Sequence, residues 1–294
     1  MNKVGFIGVG IMGKSMVKNL MKVGFELHIY ARTKSKVEDV ISEGAQFHES
    51  IKDCVQDCDA VITIVGFPQD VEEVYFDEGN ILDSAKKGAY LIDMTTTSPQ
   101  IAEKIYEEGT KRGFHVMDAP VTGGDTGAKA GTLSILVGGE KEDYEACMPL
   151  FEAMGTNINY QGKAGCGQHC KLANQIMIAG TLSGVCEALT YAKEQGLDPE
   201  VFMKSVATGA AGSKQLDTFG PKILKDDYAP GFFMKHFIKD MKLALIEANR
   251  KGLSLDVLSM VLANYEELEQ EGYGDLGTQA LMKFYDEEHR NTEE

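Results

Sequence analysis

Positive charge is scarce in this 294-residue chain. Its 29 lysines and arginines face 45 aspartates and glutamates, a formal charge of −16. A protein so acidic lacks the basic face that nucleic acid or an anionic membrane demands, and neither is expected as a partner. An anionic small substrate would need a locally positive pocket. A second absence is any uninterrupted run of about 18 apolar residues, the length of a membrane span. The apolar N-terminus is broken by Lys14 and Lys18 and reads as strand, turn and helix rather than a secretory signal, so the expected location is the cytoplasm. Histidine is also missing where zinc would want it. Cys54 and Cys58 form one C-x3-C and Cys166 and Cys170 another, a spacing that zinc permits, but His169 is the only histidine beside either pair. Scattered reduced thiols of an intracellular enzyme are the preferred reading, with no metal.

What is present in the first half is an alternation of strands and helices. Lys3 to Ile7 has the pattern of a short buried strand, and Gly8-Val9-Gly10-Ile11-Met12-Gly13 follows it. Met16, Val17, Leu20 and Met21 then recur at helical spacing until Gly24, and Glu26 to Tyr30 reads as a second strand. A G-x-G-x-x-G at the first strand-to-helix turn of a βαβ unit is a dinucleotide-binding signature. Gly8 permits the tight turn, Gly10 admits the pyrophosphate, Gly13 lets helix and strand pack closely, and the N–H groups of the helix start face the phosphates.

One further absence bears on the cofactor. NAD-specific proteins place a carboxylate near the end of the second strand for the ribose 2′-hydroxyl. Here that strand ends Tyr30-Ala31-Arg32-Thr33-Lys34-Ser35-Lys36. Arg32, Thr33 and Lys36 instead suit a 2′-phosphate, which favours NADP(H) over NAD. The same turn can serve as a solvated helix opening with Thr33 as its cap.

Ala60 to Val65 reads as a strand leading into Gly66-Phe67-Pro68, Ala89 to Asp93 as another leading into Met94-Thr95-Thr96-Thr97, and His115 to Asp118 as a third. Ligands of doubly wound sheets lie beyond the carboxyl ends of the strands, which makes Val65, Gly66, Phe67 and Thr96 candidates for cofactor contact. Ser98 and Pro99 read as cap and first helical residue. After Asp118 comes Ala-Pro-Val-Thr122-Gly123-Gly124-Asp-Thr-Gly127, then Gly131. Its glycines leave N–H groups unshielded beside the Thr122 hydroxyl, which suits capture of a carboxylate; the bland alternative is a mobile surface loop.

Gly162 to Gly167 reads as a hinge, and beyond it helical periodicity replaces the alternation. From about 166 to 195, Leu172, Ile176, Ala179, Leu182, Cys186 and Leu189 recur along one side, while Lys171, Asn174 and Gln175 share a face at i, i+3 and i+4. A lysine near a helix start opposes the macrodipole, which raises interest in Lys171. In a later helix Lys239 can bring a positive charge that Asp240 orients, whereas His236 and Lys242 read as ordinary helix face.

Four segments in order resemble the β-hydroxyacid dehydrogenase family, which includes 3-hydroxyisobutyrate dehydrogenases and tartronate and glyoxylate/succinic semialdehyde reductases. They are Phe6 to Gly13, Asp118 to Leu133, Gly162 to Asn174, and Lys239-Asp240, and the resemblance spans Val4 to about Tyr285. It implies an α/β Rossmann domain (1–163) and an all-α domain (164–294) joined by a long helix, with association into a homo-dimer or homo-tetramer. It further implies Lys171 as catalytic acid/base with Asn174 beside it. Thr122, Gly123 and Gly124 would hold a substrate carboxylate, with Gln175 and Asp240 also at the substrate. Thr96 would lie at cofactor and substrate, and Lys239 near the nicotinamide, where it would lower the lysine pKa. Thr122 stands where a serine is common, Ser15 where proline is, Gln175 where many relatives have asparagine, and Asp275 to Gln279 departs from the usual pattern. Imine reductases resemble the family but generally lack the lysine, 6-phosphogluconate-type enzymes are much longer, and a non-catalytic NADP(H)-binding module would not be expected to keep Lys171, Asn174 and the Thr122 turn.

Overall fold

The computed structural model describes residues 1–285, so the end of the expected second domain, 286–294, lies outside the described residues. Within them the chain forms two compact units, Met1–Lys171 and Leu172 onward.

The first unit is built on nine strands: β1 (Lys3–Ile7), β2 (Glu26–Tyr30), β3 (Gln46–His48), β4 (Ala60–Thr63), β5 (Tyr90–Asp93), β6 (His115–Asp118), β7 (Val121–Thr122), β8 (Leu133–Gly139) and β9 (Gly155–Gly162). Their order is β3-β2-β1-β4-β5-β6-β8-β7, with β9 paired to β8. The run from β3 to β6 is parallel and has the doubly wound 3-2-1-4-5-6 order, which reverses between β1 and β4. β6 and β7 are both antiparallel to β8, so β7 continues past the carboxyl end of β6.

Strand alternation fills both faces. Val4 and Phe6 of β1, Ala60 and Ile62 of β4, Ile92 of β5 and Met117 of β6 join one core with Met16 and Leu20 of the helix Ile11–Lys22. Ile7, Val61, Leu91 and Val116 point the opposite way into a second core with Val71 and Tyr75. This is the period of two expected of a sheet covered on both sides.

The second unit is helical. The helix Cys166–Glu194 has 29 residues, roughly 43 Å at 1.5 Å per residue. By length and composition it would pass for a membrane span. Its apolar side is instead buried: Ala179, Leu182, Cys186 and Leu189 pack with Phe237, Met241, Leu262 and Tyr265 of the helices Met234–Arg250 and Asp256–Gln270. The division between the units falls inside this helix, after Lys171.

Several local expectations differ from the structure. The strand expected over Ala60 to Val65 ends at Thr63, and the Val65 N–H turns to the Thr95 hydroxyl; the strand expected from Ala89 begins at Tyr90, because the Ala89 N–H closes a turn onto the Lys86 carbonyl. Thr33 stands at the cap position of the turn Lys34–Val37, but its side chain makes no capping bond. Ser98 caps as expected, accepting from the Gln100 N–H at 3.2 Å ahead of Pro99. The glycine-rich stretch after Asp118 is no loose loop: it forms β7 and the helix Gly124–Ala130.

Candidate active site

The glycine turn lies at the reversal of strand order. Gly8 has φ +96, and a Cβ there would sit 2.1 Å from the Ile64 carbonyl oxygen. At Gly13 a Cβ would lie 2.2 Å from the Gly8 carbonyl oxygen, so a side chain would push the helix off β1. A Cβ at Gly10 would meet nothing within 4 Å. That open space adjoins a helix start with no side-chain cap and no acidic residue in its first turn, with Ile11 and Met12 on it. Unscreened N–H groups beside room for an anion fit the pyrophosphate of a dinucleotide. Past the end of β2, Arg32, Thr33 and Lys36 are all exposed, and the Arg32 guanidinium lies 3.3 Å from the Asp70 carboxylate, a loose surface pair.

The neighbouring strand ends are tied together by buried polar groups. The Val65 N–H donates to Thr95 Oγ1 (3.0 Å), and the Phe67 N–H to Asp70 Oδ2 (2.9 Å), which fixes the turn through Gly66. Asp93 accepts from the Thr63 hydroxyl (2.7 Å) and the Thr95 N–H (3.1 Å), both at Oδ1. Its Oδ2 is buried with no hydrogen-bond partner among the described residues, and burial pushes the carboxyl up to about 6. Gln168 grips the next turn from both sides of Thr96: its Nε2 donates to the Thr95 carbonyl (2.7 Å) and its Oε1 accepts from the Thr97 N–H (3.0 Å). Asp118, opposite Asp93 in the β5–β6 register, holds the start of the long helix. Its two oxygens accept from the N–H groups of Gly165 and Gln168, each at 2.8 Å. Burial raises the Asp118 pKa, and those two bonds oppose the rise.

Thr122 ends β7, followed by Gly123 at φ +132 and Gly124 at φ +64. Of the four glycines expected to leave N–H groups open, two do not. Gly127 donates to the Gly123 carbonyl (3.1 Å) and Gly131 to that of Ala128 (3.4 Å), because both belong to the helix and its close. The first-turn N–H groups from Gly124 onward have no acceptor within their helix.

Lys171 is buried, 7% exposed. It is the sixth residue of its helix, beyond the first turn, so the macrodipole gives no reason to single it out. Burial does. In the second unit, Asn174 Nδ2 donates to Gln175 Oε1 (2.8 Å), and Gln175 Nε2 donates to Asp240 Oδ2 (2.6 Å). Lys239 Nζ lies 3.0 Å from Asp240 Oδ1. Gln175 and Asp240, expected at the substrate, are therefore engaged in a buried chain that braces Asn174 and Lys239. Lys242 pairs with Glu266 at 2.7 Å, an ordinary helix-face contact. Gln279, in the segment that departs from the family pattern, is buried and donates to the carbonyls of Asp227 and Ala229.

Cys54 and Cys58 are buried, with thiols donating to the carbonyls of His28 and Cys54, and burial pushes the Cys58 thiol up to about 12. The sequence reading missed the parts of Gln168, Asp93 and Thr95. Gln168 stands three residues before Lys171 and Asp93 ends an apolar strand, but neither position is distinctive without the groups it meets.

Comparison with known proteins agrees with this geometry. Residues 3–162 match the NAD binding domain of 6-phosphogluconate dehydrogenase, and residues 165–285 match the NAD-binding domain of NADP-dependent 3-hydroxyisobutyrate dehydrogenase. The uncharacterized oxidoreductase YkwC of Bacillus subtilis is 49% identical over 282 residues, 96% of this chain and 98% of that protein. The probable 3-hydroxyisobutyrate dehydrogenase-like 1 of Arabidopsis thaliana is 44% identical, over 95% of this chain and 84% of that one. The solved 3-hydroxyisobutyrate dehydrogenase of Mycobacterium tuberculosis with L-serine superposes with a TM-score of 0.88 at 26% identity, covering 96% of this chain and 98% of that one. With a nucleotide-type glycine turn, a buried lysine and matches along nearly its whole length, the chain belongs to the β-hydroxyacid dehydrogenase family of NAD(P)-dependent oxidoreductases acting on small hydroxy acids.

Proposed function

We propose that the protein interconverts a two- to four-carbon aldehyde acid and its hydroxy acid with NADP(H), with Lys171 as general acid and base. The observation that carries this reading is a buried lysine one helical turn beyond the Gln168 amide, which grips the Thr96 turn. Gly8 to Gly13 would hold the pyrophosphate, Val65 to Phe67 and Thr96 would line the nicotinamide, and Lys239 would lie near it. When bound, the cofactor supplies or accepts the hydride. The rest falls to the chain. Thr122 and the N–H groups of Gly123 and Gly124 bind the carboxylate, and Asn174 orients the reacting oxygen. In reduction the Lys171 ammonium gives a proton to the carbonyl oxygen; in oxidation neutral Lys171 takes the hydroxyl proton. The L-serine that accompanies the Mycobacterium tuberculosis relative, itself a small hydroxy acid, supports a short substrate of that kind.

Arg32, Thr33 and Lys36, with no carboxylate among them, support NADP(H) over NAD. Exposure leaves all three available to a 2′-phosphate, and the Asp70 contact of Arg32 is weak enough to exchange.

Lys171→Ala tests the mechanism. Loss of general acid/base catalysis should lower kcat by roughly 100- to 10,000-fold with NADPH affinity preserved. A variant that turns over at the wild-type rate would remove the lysine from the chemistry.

A further inference from the structure

We infer that Gln168 is a positioning residue for this reaction, a two-ended clamp that sets the Thr96 turn against the helix carrying Lys171. The inference rests on the function proposed above and adds a residue to it. Gln168 is fully buried, and each end of its amide meets a backbone group of opposite polarity, Nε2 on the Thr95 carbonyl and Oε1 on the Thr97 N–H. An ionised carboxylate could serve only the second and an apolar side chain neither. The clamp is itself anchored. The Gln168 N–H donates to Asp118 at the end of β6. At Gly167 a Cβ would lie 2.3 Å from the Leu136 carbonyl oxygen, so the helix start is seated directly on β8. On the far side Thr95 passes the connection to the Val65 N–H. One chain of bonds therefore runs from β6 through the helix start to the ends of β5 and β4. Lys171 follows three residues later on the same helix, so the amide fixes the separation between the lysine and Thr96. A buried amide used this way sets geometry rather than touching reactants.

The test uses Gln168→Met, which keeps length and apolar bulk but makes neither bond, and Gln168→Glu, which keeps an acceptor for Thr97 and, when ionised, turns an acceptor oxygen on the Thr95 carbonyl. Steady-state kinetics, NADPH titration and thermal unfolding are measured on both, with Lys171→Ala alongside. Displacement of the lysine should lower kcat by about 10- to 100-fold while KM and NADPH affinity stay near wild type. The loss should appear in Gln168→Glu at a pH that ionises the introduced carboxyl, even if Gln168→Met does not fold, and should recede at lower pH, where the protonated acid can donate to the Thr95 carbonyl. A lower melting temperature with unchanged kcat in the folded variant would overturn the positioning role and leave Gln168 a structural residue. If Lys171→Ala keeps turnover, the proton-transfer assignment falls and this inference with it. If Lys171→Ala loses turnover while the folded Gln168 variants keep theirs, only the positioning role falls.

Discussion

Asp93 illustrates how much a single buried carboxyl can do beneath a site. It holds Thr63 and Thr95 through one oxygen, while the other is buried with no partner among the described residues. Burial disfavours the charged form more than those bonds favour it, so its pKa rises from an ordinary 3.8 to about 6. A raised acid pKa means that the folded chain holds its proton more tightly than the unfolded chain. Asp93 is then least costly when protonated, and its ionisation removes stability as pH rises from about 4 through 6. Asp93→Asn abolishes that dependence. Between pH 7.5 and 4.5 wild-type stability should gain on the variant by about 2 kcal/mol, order of magnitude, as read by chemical unfolding at both pH values. A constant difference would show that Asp93 titrates normally. Residues of this kind are hard to read from sequence, because an acid closing an apolar strand looks like any strand end. Lys171 was legible through the family motif; Gln168 was not, since its meaning depends on backbone groups some 70 residues away.

Among the elements, β1, β2 and β6 follow their apolar patterns to the residue, because each is buried on both faces and has sharp turn signals beside it. β3 and β7 have three and two residues, too few to show a period, and β9 is a mostly exposed GTNINYQG. Those strands are specified by their neighbours in the sheet rather than by their own composition. The glycine turn was legible in full, and its glycines should fail differently. Gly13→Ala places a methyl against the Gly8 carbonyl and should cost about 1–3 kcal/mol of stability. Gly10→Ala meets open space, so stability should stay within about 0.5 kcal/mol while NADPH affinity falls. Unfolding and NADPH titration of both variants check this; intact NADPH binding by Gly10→Ala would show that the phosphates lie elsewhere.

At the scale of the whole chain, a net charge of −16 surrounds a site for which an anionic cofactor and an anionic substrate are proposed. On the proposed reading, exposed Arg32 and Lys36 past β2, helix-start N–H groups beside Gly10 and a buried Lys171 would supply positive groups locally. The alternating first half and helical second half were readable from periodicity; the substrate was not, because no local motif encodes it. The most direct test of the account is NADPH oxidation against a panel of two- to four-carbon aldehyde acids, repeated with NADH. Turnover of at least one such acid is expected, faster with NADPH at equal concentration. No turnover of any of them while NADPH binds, or a clear preference for NADH, would contradict it.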